Sequence, residues 1–106
     1  MELEQVLRTC RFSKRYRGYY ALETCIRIAL EDEESLLYVT GIYMAAAHKQ
    51  GISWTSLERN IRTVLSHSWE HGGQEPLERL SGGVLLEKPT VSELLEILVC
   101  YLKEQP

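Results

Sequence analysis

The segment from Gly51 to Gly73, GISWTSLERNIRTVLSHSWEHGG, constrains the fold of this chain more than any other stretch. Its apolar residues recur three and four positions apart, which is the spacing of one face of an α-helix. They are Leu57, Ile61, Val64, Leu65 and Trp69. At about 100° per residue, the opposite face carries Thr55, Arg59, Arg62 and Ser66. The segment therefore predicts an amphipathic helix that buries one side and exposes two arginines.

Residues that start and stop helices mark the ends of this segment. Gly51 suits the left-handed conformation that ends a preceding helix. Ser53 is the favoured N-cap of the next helix, but Thr55 with Glu58 also fits a capping box, so two starting points remain. The glycine pair at 72–73 is expected to stop the helix.

An apolar helix, a glycine break and a second amphipathic helix in this order predict a helix-turn-helix. A helix face that carries guanidinium groups among small hydroxyls can lie in the major groove of DNA. Arginine reads guanine there through paired donors, while serine and threonine fit against phosphates and base edges. The sequence therefore predicts a nucleic-acid interface on this face.

The part of the chain before this segment is also predicted to be helical. A short first helix ends near Cys10, and the basic connector RFSKRYRG follows it. A second helix is predicted from about Gly18 to Asp32. The acidic run EDEES is expected to start a third helix, which ends near Gln50, because acidic side chains favour the positive end of the helix dipole.

The part after Gly73 has weaker signals. A polar segment, HGGQEP, precedes a short helical turn from Leu77 to Leu80, and SGGVLLEKP is predicted to be a loop or a small strand pair. Thr90 or Ser92 is expected to cap a last helix. The predicted fold class is all-α, a compact bundle of five to six helices that contains a helix-turn-helix.

Length and composition favour one soluble domain. At 106 residues the chain has room for a single domain, residues 1–106, with one modest core. No apolar run approaches the roughly 20 residues that span a bilayer. The N-terminal MELEQVLRTCRF lacks the apolar core of a secretory signal. We therefore expect a cytoplasmic protein with no membrane partner.

The formal net charge of −3 is unusual for a small DNA-binding domain, because phosphate neutralisation supplies much of the affinity of such domains. The negative charge is concentrated in residues 31–34 and near the N-terminus, and the positive charge in RFSKRYR and around Arg59 and Arg62. RFSKRYR is expected to add contacts to the DNA backbone. The distribution permits DNA binding, whereas the total predicts that one copy binds weakly.

Cysteines and histidines give no sign of a metal site or a disulfide framework. Three cysteines are far apart and form no C-x-x-C pair, and Cys25 and Cys100 lie in apolar helical patterns where we expect them to be buried. His67 and His71 have zinc spacing, but no third ligand is placed to close a site. We expect no metal and no cofactor.

The sequence also lacks the marks of an enzyme. There is no nucleophile elbow, no phosphate-binding loop and no pair of carboxylates in an apolar setting. We therefore expect neither a catalytic residue nor a small-molecule substrate. Among the tryptophans, Trp69 is predicted to be in the core, whereas Trp54 is predicted either to pack at the helix start against the third helix or to face a partner.

Three groups of residues are shared with a known family. They are Gly18, Tyr19 and Leu22, then ERNIR (58–62) with Trp69 seven residues beyond it, and KPTVSE (88–93). On these residues the chain resembles, over nearly its whole length, the C-terminal DNA-binding effector domain of the sporulation master response regulator of endospore-forming bacteria, the stage 0 sporulation protein A family.

This resemblance implies an all-helical domain whose helix-turn-helix reads a short guanine-containing box in the major groove. It places Glu58, Arg59 and Arg62 at base- and phosphate-contacting positions, and Lys88 in a basic loop near the DNA backbone. The family's N-terminal receiver domain is not included in these residues, Glu87 replaces a small or basic residue, and the turn is ISWT. Phosphorylation control and the target sequence therefore do not carry over.

Residues and resemblance together predict a sequence-specific DNA-binding transcriptional regulator. Its predicted site consists of Thr55, Ser56, Glu58, Arg59, Arg62, Ser66 and Lys88. Glu58 is expected either to orient Arg62 through an i,i+4 pair or to accept from a cytosine amino group. The predicted partner is duplex DNA, with tandem or dimeric self-association on it. The alternative is a helical protein-interaction module that kept the fold and lost strong DNA binding.

Overall fold

The computed structural model describes residues 2–104, which form six α-helices. The α-helices are α1 (Leu3–Thr9), α2 (Arg17–Glu31), α3 (Val39–Gln50), α4 (Trp54–Ser68), α5 (Gln74–Ser81) and α6 (Val91–Lys103). A 3-10 helix, Glu33–Tyr38, precedes α3, and a π-helical turn, Trp69–Gly73, follows α4. No strand occurs within residues 2–104, and the all-α prediction is confirmed.

Helix α4 lies at the centre of the bundle and packs against α2, α3 and α6. Its predicted apolar stripe is buried at Leu57, Ile61, Val64 and Leu65. Trp69, which continues the stripe, is only partly buried and packs against the edge of the core. The order α3, Gly51 turn, α4 is the predicted helix-turn-helix.

Helices α2 and α4 cross at very short distance at Gly18. A Cβ atom built on Gly18 would overlap the backbone carbonyl of Asn60, with the carbonyl carbon only 2.6 Å away. Any residue larger than glycine would therefore push the two helices apart. Gly18 therefore fixes the position of α4 relative to the start of α2.

The start of α4 is settled by its hydrogen bonds. Gly51 ends α3 with φ of 68°, and the Ser53 hydroxyl accepts a hydrogen bond from the Ser56 backbone N–H at 3.2 Å. Ser53 is therefore the N-cap, as favoured from the sequence, and the alternative capping box at Thr55 and Glu58 is wrong.

The acidic run does not start an α-helix, contrary to the prediction. Asp32 caps a 3-10 helix instead, since its side chain accepts from the Glu34 N–H at 3.2 Å. Tyr38, with φ of −143°, then interrupts the helical backbone, and α3 begins only at Val39.

The segment after α4 differs from the prediction in two ways. The α-helix ends at Ser68 rather than near His71, because His71 and Gly72 leave helical geometry and Gly72 has φ of 94°. A second correction concerns α5, which begins directly at Gln74 and is longer than the predicted turn. The Ser68 hydroxyl donates to the Cys10 carbonyl at 2.6 Å and fixes this bend against the end of α1.

Residues 82–90 form a loop without strands, so the loop alternative holds for this described segment. Side chains of α5 fix it: Glu78 accepts from the Leu85 N–H at 2.8 Å, and Gln74 donates to the Leu85 carbonyl. Thr90 and Glu93 then form the capping box that starts α6.

The two cysteines that were expected to be buried differ in exposure. Cys25 is buried as predicted, but Cys100 is exposed, because it lies on the side of α6 that faces away from the core.

None of the described helices is both long enough and apolar enough to cross a bilayer.

Candidate nucleic-acid interface

The exposed face of α4 brings together most of the predicted site. Thr55, Arg59 and Arg62 are exposed, and Ser66 is partly buried on the same face. The opposite face holds the buried stripe, so the arginines project away from the core. The helical spacing in the sequence predicted this arrangement correctly.

Arg62 is held by Glu58 on the preceding turn. Its Nε lies 2.6 Å from a Glu58 carboxylate oxygen, so the predicted i,i+4 pair is present. Because this contact uses Nε, the two terminal Nη groups remain available for another partner. The second role suggested for Glu58, acceptance from a cytosine amino group, stays a prediction.

Arg59 is held by a chain of hydroxyls at the start of α4. Its Nη2 donates to the Ser56 hydroxyl at 3.2 Å, and Ser56 lies 2.9 Å from the Ser53 hydroxyl. Ser53 in turn caps the helix. The cap and the arginine are therefore linked, and Ser56 acts here as a positioning residue for Arg59.

Lys88 reaches the same face from a distant part of the sequence. Its Nζ donates to the Ser66 hydroxyl at 2.6 Å, across 22 residues of chain. The capping box at Thr90 and Glu93 fixes the end of this loop, and the hydrogen bonds from Thr90 hold the pKa of Glu93 below its usual range. Lys88 therefore belongs to the α4 face.

Trp54 contacts α3 and is still partly exposed. Its ring is stacked on that of Tyr43, with centroids 6.4 Å apart and planes 14° apart, while 41% of the residue remains exposed. The pKa of Tyr43 is raised to about 12, mainly by burial and to a smaller extent by the nearby Glu58 charge. Its hydroxyl therefore stays protonated. This contact packs the first turn of α4 against α3.

The basic connector is divided between two locations. Lys14 lies against α1, 2.8 Å from Glu4, and this hydrogen-bonded pair raises the pKa of Lys14 and lowers that of Glu4. Arg15 and Arg17 instead border α4 at Asn60. Asn60 was missed from the sequence, because it lies on the flank between the buried stripe and the arginine face.

The two histidines of the zinc-like spacing stack on each other. The rings of His67 and His71 stack at 4.1 Å, and Nδ1 of His71 lies 2.7 Å from the His67 carbonyl oxygen. Tyr16 adds a third ring at 4.9 Å from His67. Within residues 2–104 no group of three His, Cys, Asp or Glu side chains could hold a metal ion.

A family model described as sporulation initiation factor Spo0A, C terminal, matches residues 3–102 of the 106-residue chain. The match extends from the first residue of α1 into the last turn of α6. The family consists of DNA-binding effector domains that regulate sporulation transcription, and it is not an enzyme family.

Proposed function

The chain belongs to the Spo0A C-terminal domain family, and on this premise we propose that it recognises specific sequences in duplex DNA through α4. The observation that carries the proposal is the pair of exposed arginines on this helix, each held by a side chain of its own helix. An oriented guanidinium loses less conformational freedom on binding than a free one, which favours specific contacts over diffuse attraction.

In the proposed mechanism α4 enters the major groove with its exposed face toward the bases. Glu58 holds Arg62 at Nε and leaves the terminal nitrogens to donate to O6 and N7 of a guanine. Arg59 has only a neutral hydroxyl partner at 3.2 Å, which is a weaker hold, so it can turn toward a base or a phosphate. The two arginines thus provide most of the sequence discrimination.

The other predicted site residues serve to position the helix. Thr55 is exposed in the first turn of α4, where its hydroxyl can donate to a phosphate oxygen. Lys88 brings a point charge to the last turns of the helix and orients Ser66. Contacts of this kind fix the register of the helix on the duplex without reading its sequence.

A second candidate function is a protein-interaction module. It is favoured by the 3-10 helix, where Leu37 is 89% and Tyr38 69% exposed among acidic residues. Retention on heparin separates the two functions. Retention that falls with increasing salt supports DNA binding, whereas flow-through at low salt supports the interaction module.

The main experiment begins with selection of bound sequences from random duplexes and continues with substitutions. Arg59→Ala and Arg62→Ala are each expected to weaken binding to the selected duplex by about 1–3 kcal/mol, measured by fluorescence anisotropy. Arg79→Ala is the matched control, because Arg79 makes an equivalent i,i+4 pair with Glu75 on α5. Unchanged affinity in both α4 variants would exclude this recognition face.

A further inference from the structure

A second polar feature lies beside the arginine face. A cleft of about 290 Å³ opens where the basic connector meets the flank of α4. It is lined by Arg15, Tyr16, Arg17, Gly18, Asn60 and Thr63. No acidic side chain lines this cleft, and an anion bound there would meet no direct repulsion.

The two arginines of the cleft differ from most Lys and Arg side chains in having no ion-pair or hydrogen-bond partner among the described residues. Neither Arg15 nor Arg17 makes an ion pair or a side-chain hydrogen bond with any residue in the described range 2–104. The neighbouring Lys14 forms an ion pair with Glu4, with its Nζ 2.8 Å from a carboxylate oxygen. In a chain of net charge −3, the cleft is thus a place where positive charge is left unneutralised.

Asn60 supplies the third polar group and belongs to α4 itself. Its side chain is partly buried and has no hydrogen-bond partner within the described residues. The neighbouring Thr63 hydroxyl donates to the Arg59 carbonyl at 3.1 Å, so its proton is already used and it serves as a wall of the cleft. The amide of Asn60 is therefore the neutral donor that the cleft can offer.

The walls of the cleft are held rigidly together. Gly18 packs directly on the Asn60 backbone, so the connector cannot move toward or away from α4 without opening the α2–α4 crossing. A second depression of about 240 Å³ shares Arg17 and Asn60 and continues the groove past Tyr20 toward Ile52. The backbone positions of Arg17 and Asn60 are thus fixed next to each other along the flank of α4, while their side chains stay free to meet a ligand.

We propose that Arg15, Arg17 and Asn60 bind a backbone phosphate of the duplex whose groove α4 enters. This inference rests on the proposed DNA-binding function. Guanidinium groups bind phosphate through short charge-assisted hydrogen bonds, and such a contact is independent of the base sequence. Because Asn60 is part of α4, a phosphate held here sets how far the recognition helix enters the groove.

The test is the salt dependence of binding by an Arg15→Gln, Arg17→Gln double variant. Affinities for the selected duplex and for a scrambled duplex are measured by anisotropy over a series of KCl concentrations. Loss of one phosphate contact is expected to make the slope of log K against log salt shallower by about 1. Affinity is expected to fall by the same factor on both duplexes.

Two controls accompany the double variant. Arg79→Gln removes the same charge from α5, from a side chain already paired with Glu75, and should leave the slope as in the wild type. Asn60→Asp places a negative charge in the cleft without changing its shape and should weaken binding to both duplexes. Thermal unfolding of each variant shows that the fold is retained.

The outcomes separate this inference from the proposed function. If the wild type binds the selected duplex and the double variant keeps its affinity and slope, the cleft does not hold a phosphate, while recognition by α4 stands. A loss confined to the selected duplex would make the cleft a base-reading site and overturn the inference. An equal effect of Arg79→Gln would mean that only the total charge of the protein matters and would overturn the inference. A wild type that binds no duplex would overturn both the inference and the proposed function.

Discussion

The close approach of α2 and α4 makes Gly18→Ala the most informative stability variant. The added methyl carbon would sit 2.6 Å from the Asn60 carbonyl carbon and 3.1 Å from the Ile61 nitrogen. Both neighbours are backbone atoms within α4, so no side chain can rotate out of the way. It would also overlap the Asn60 carbonyl oxygen, which is nearer still. The helices must therefore separate by more than about 1 Å to restore ordinary contacts of roughly 3.5–4.0 Å.

The expected cost follows from this separation. Forcing extra carbon into a packed interior costs about 1–3 kcal/mol, and more where the site cannot relax. A gap of 0.5–1 Å also forfeits roughly a quarter to a half of each dispersion contact along the crossing. The higher helix propensity of alanine returns up to about 1 kcal/mol. We expect a net loss of about 3 kcal/mol, a large part of the 5–15 kcal/mol typical of a domain.

Urea unfolding followed by circular dichroism measures this loss, with two other glycines as controls. Gly51→Ala meets no atom within 4 Å but has φ of 68°, so it should cost only the roughly 1–2 kcal/mol of a left-handed residue. Gly83→Ala, with open space and no positive φ, should be nearly neutral. A Gly18→Ala protein within 1 kcal/mol of the wild type would refute the close crossing.

Three other predictions concern reactivity, packing and assembly. At pH 8 a thiol reagent should modify the exposed Cys100 first, but more slowly than a free thiol, because desolvation and the nearby Glu96, Glu104 and Glu33 carboxylates raise its pKa. Cys10 and Cys25 should react only after unfolding, because burial raises the pKa of each to about 12 and keeps both as thiols. Reaction of all three at the same rate in the folded protein would contradict this. Trp69→Ala should lower the unfolding free energy by about 2 kcal/mol, because the ring is only partly buried. Loss of a fully buried tryptophan would cost roughly 3–5 kcal/mol. An unchanged urea midpoint would show that the ring makes no packing contacts. Duplexes with two adjacent selected sites should bind cooperatively in anisotropy titrations, and a Hill coefficient near one with equal affinity per site would exclude side-by-side association.

The sequence predicted α4 well because one strong apolar stripe determines both its existence and its orientation. Helix α6 shows the limit of such patterns. Cys100 lies nine residues after the buried Val91, which is about two and a half turns at 3.6 residues per turn. It therefore faces away from the core although apolar residues surround it in the sequence. Position around the helix, rather than apolar neighbours, decides burial.

Helix α5 was underpredicted for a different reason. The helix has only eight residues, of which Pro76 and Leu77 are buried, and so few apolar positions do not mark where it begins and ends. The bend before it depends on contacts far apart in the chain, above all the hydrogen bond from Ser68 to Cys10, 58 residues away. Local sequence patterns do not contain such contacts, and they similarly missed that Ser66 meets Lys88 and that Arg17 borders Asn60.

The net charge of −3 looks unfavourable for DNA binding only when the charge is treated as evenly spread. Ion pairs such as Arg27 with Glu23 on α2 and Arg79 with Glu75 on α5 have no net charge, so they contribute little electrostatic potential at α4. The acidic run begins at Glu31, the last residue of α2, whereas Arg17 is its first. At 1.5 Å per residue these ends are about 21 Å apart, which is more than two Debye lengths of about 8 Å at physiological salt. A phosphate near Arg17 is therefore screened from the acidic end of α2, and the local charge beside α4, rather than the total, governs its attraction.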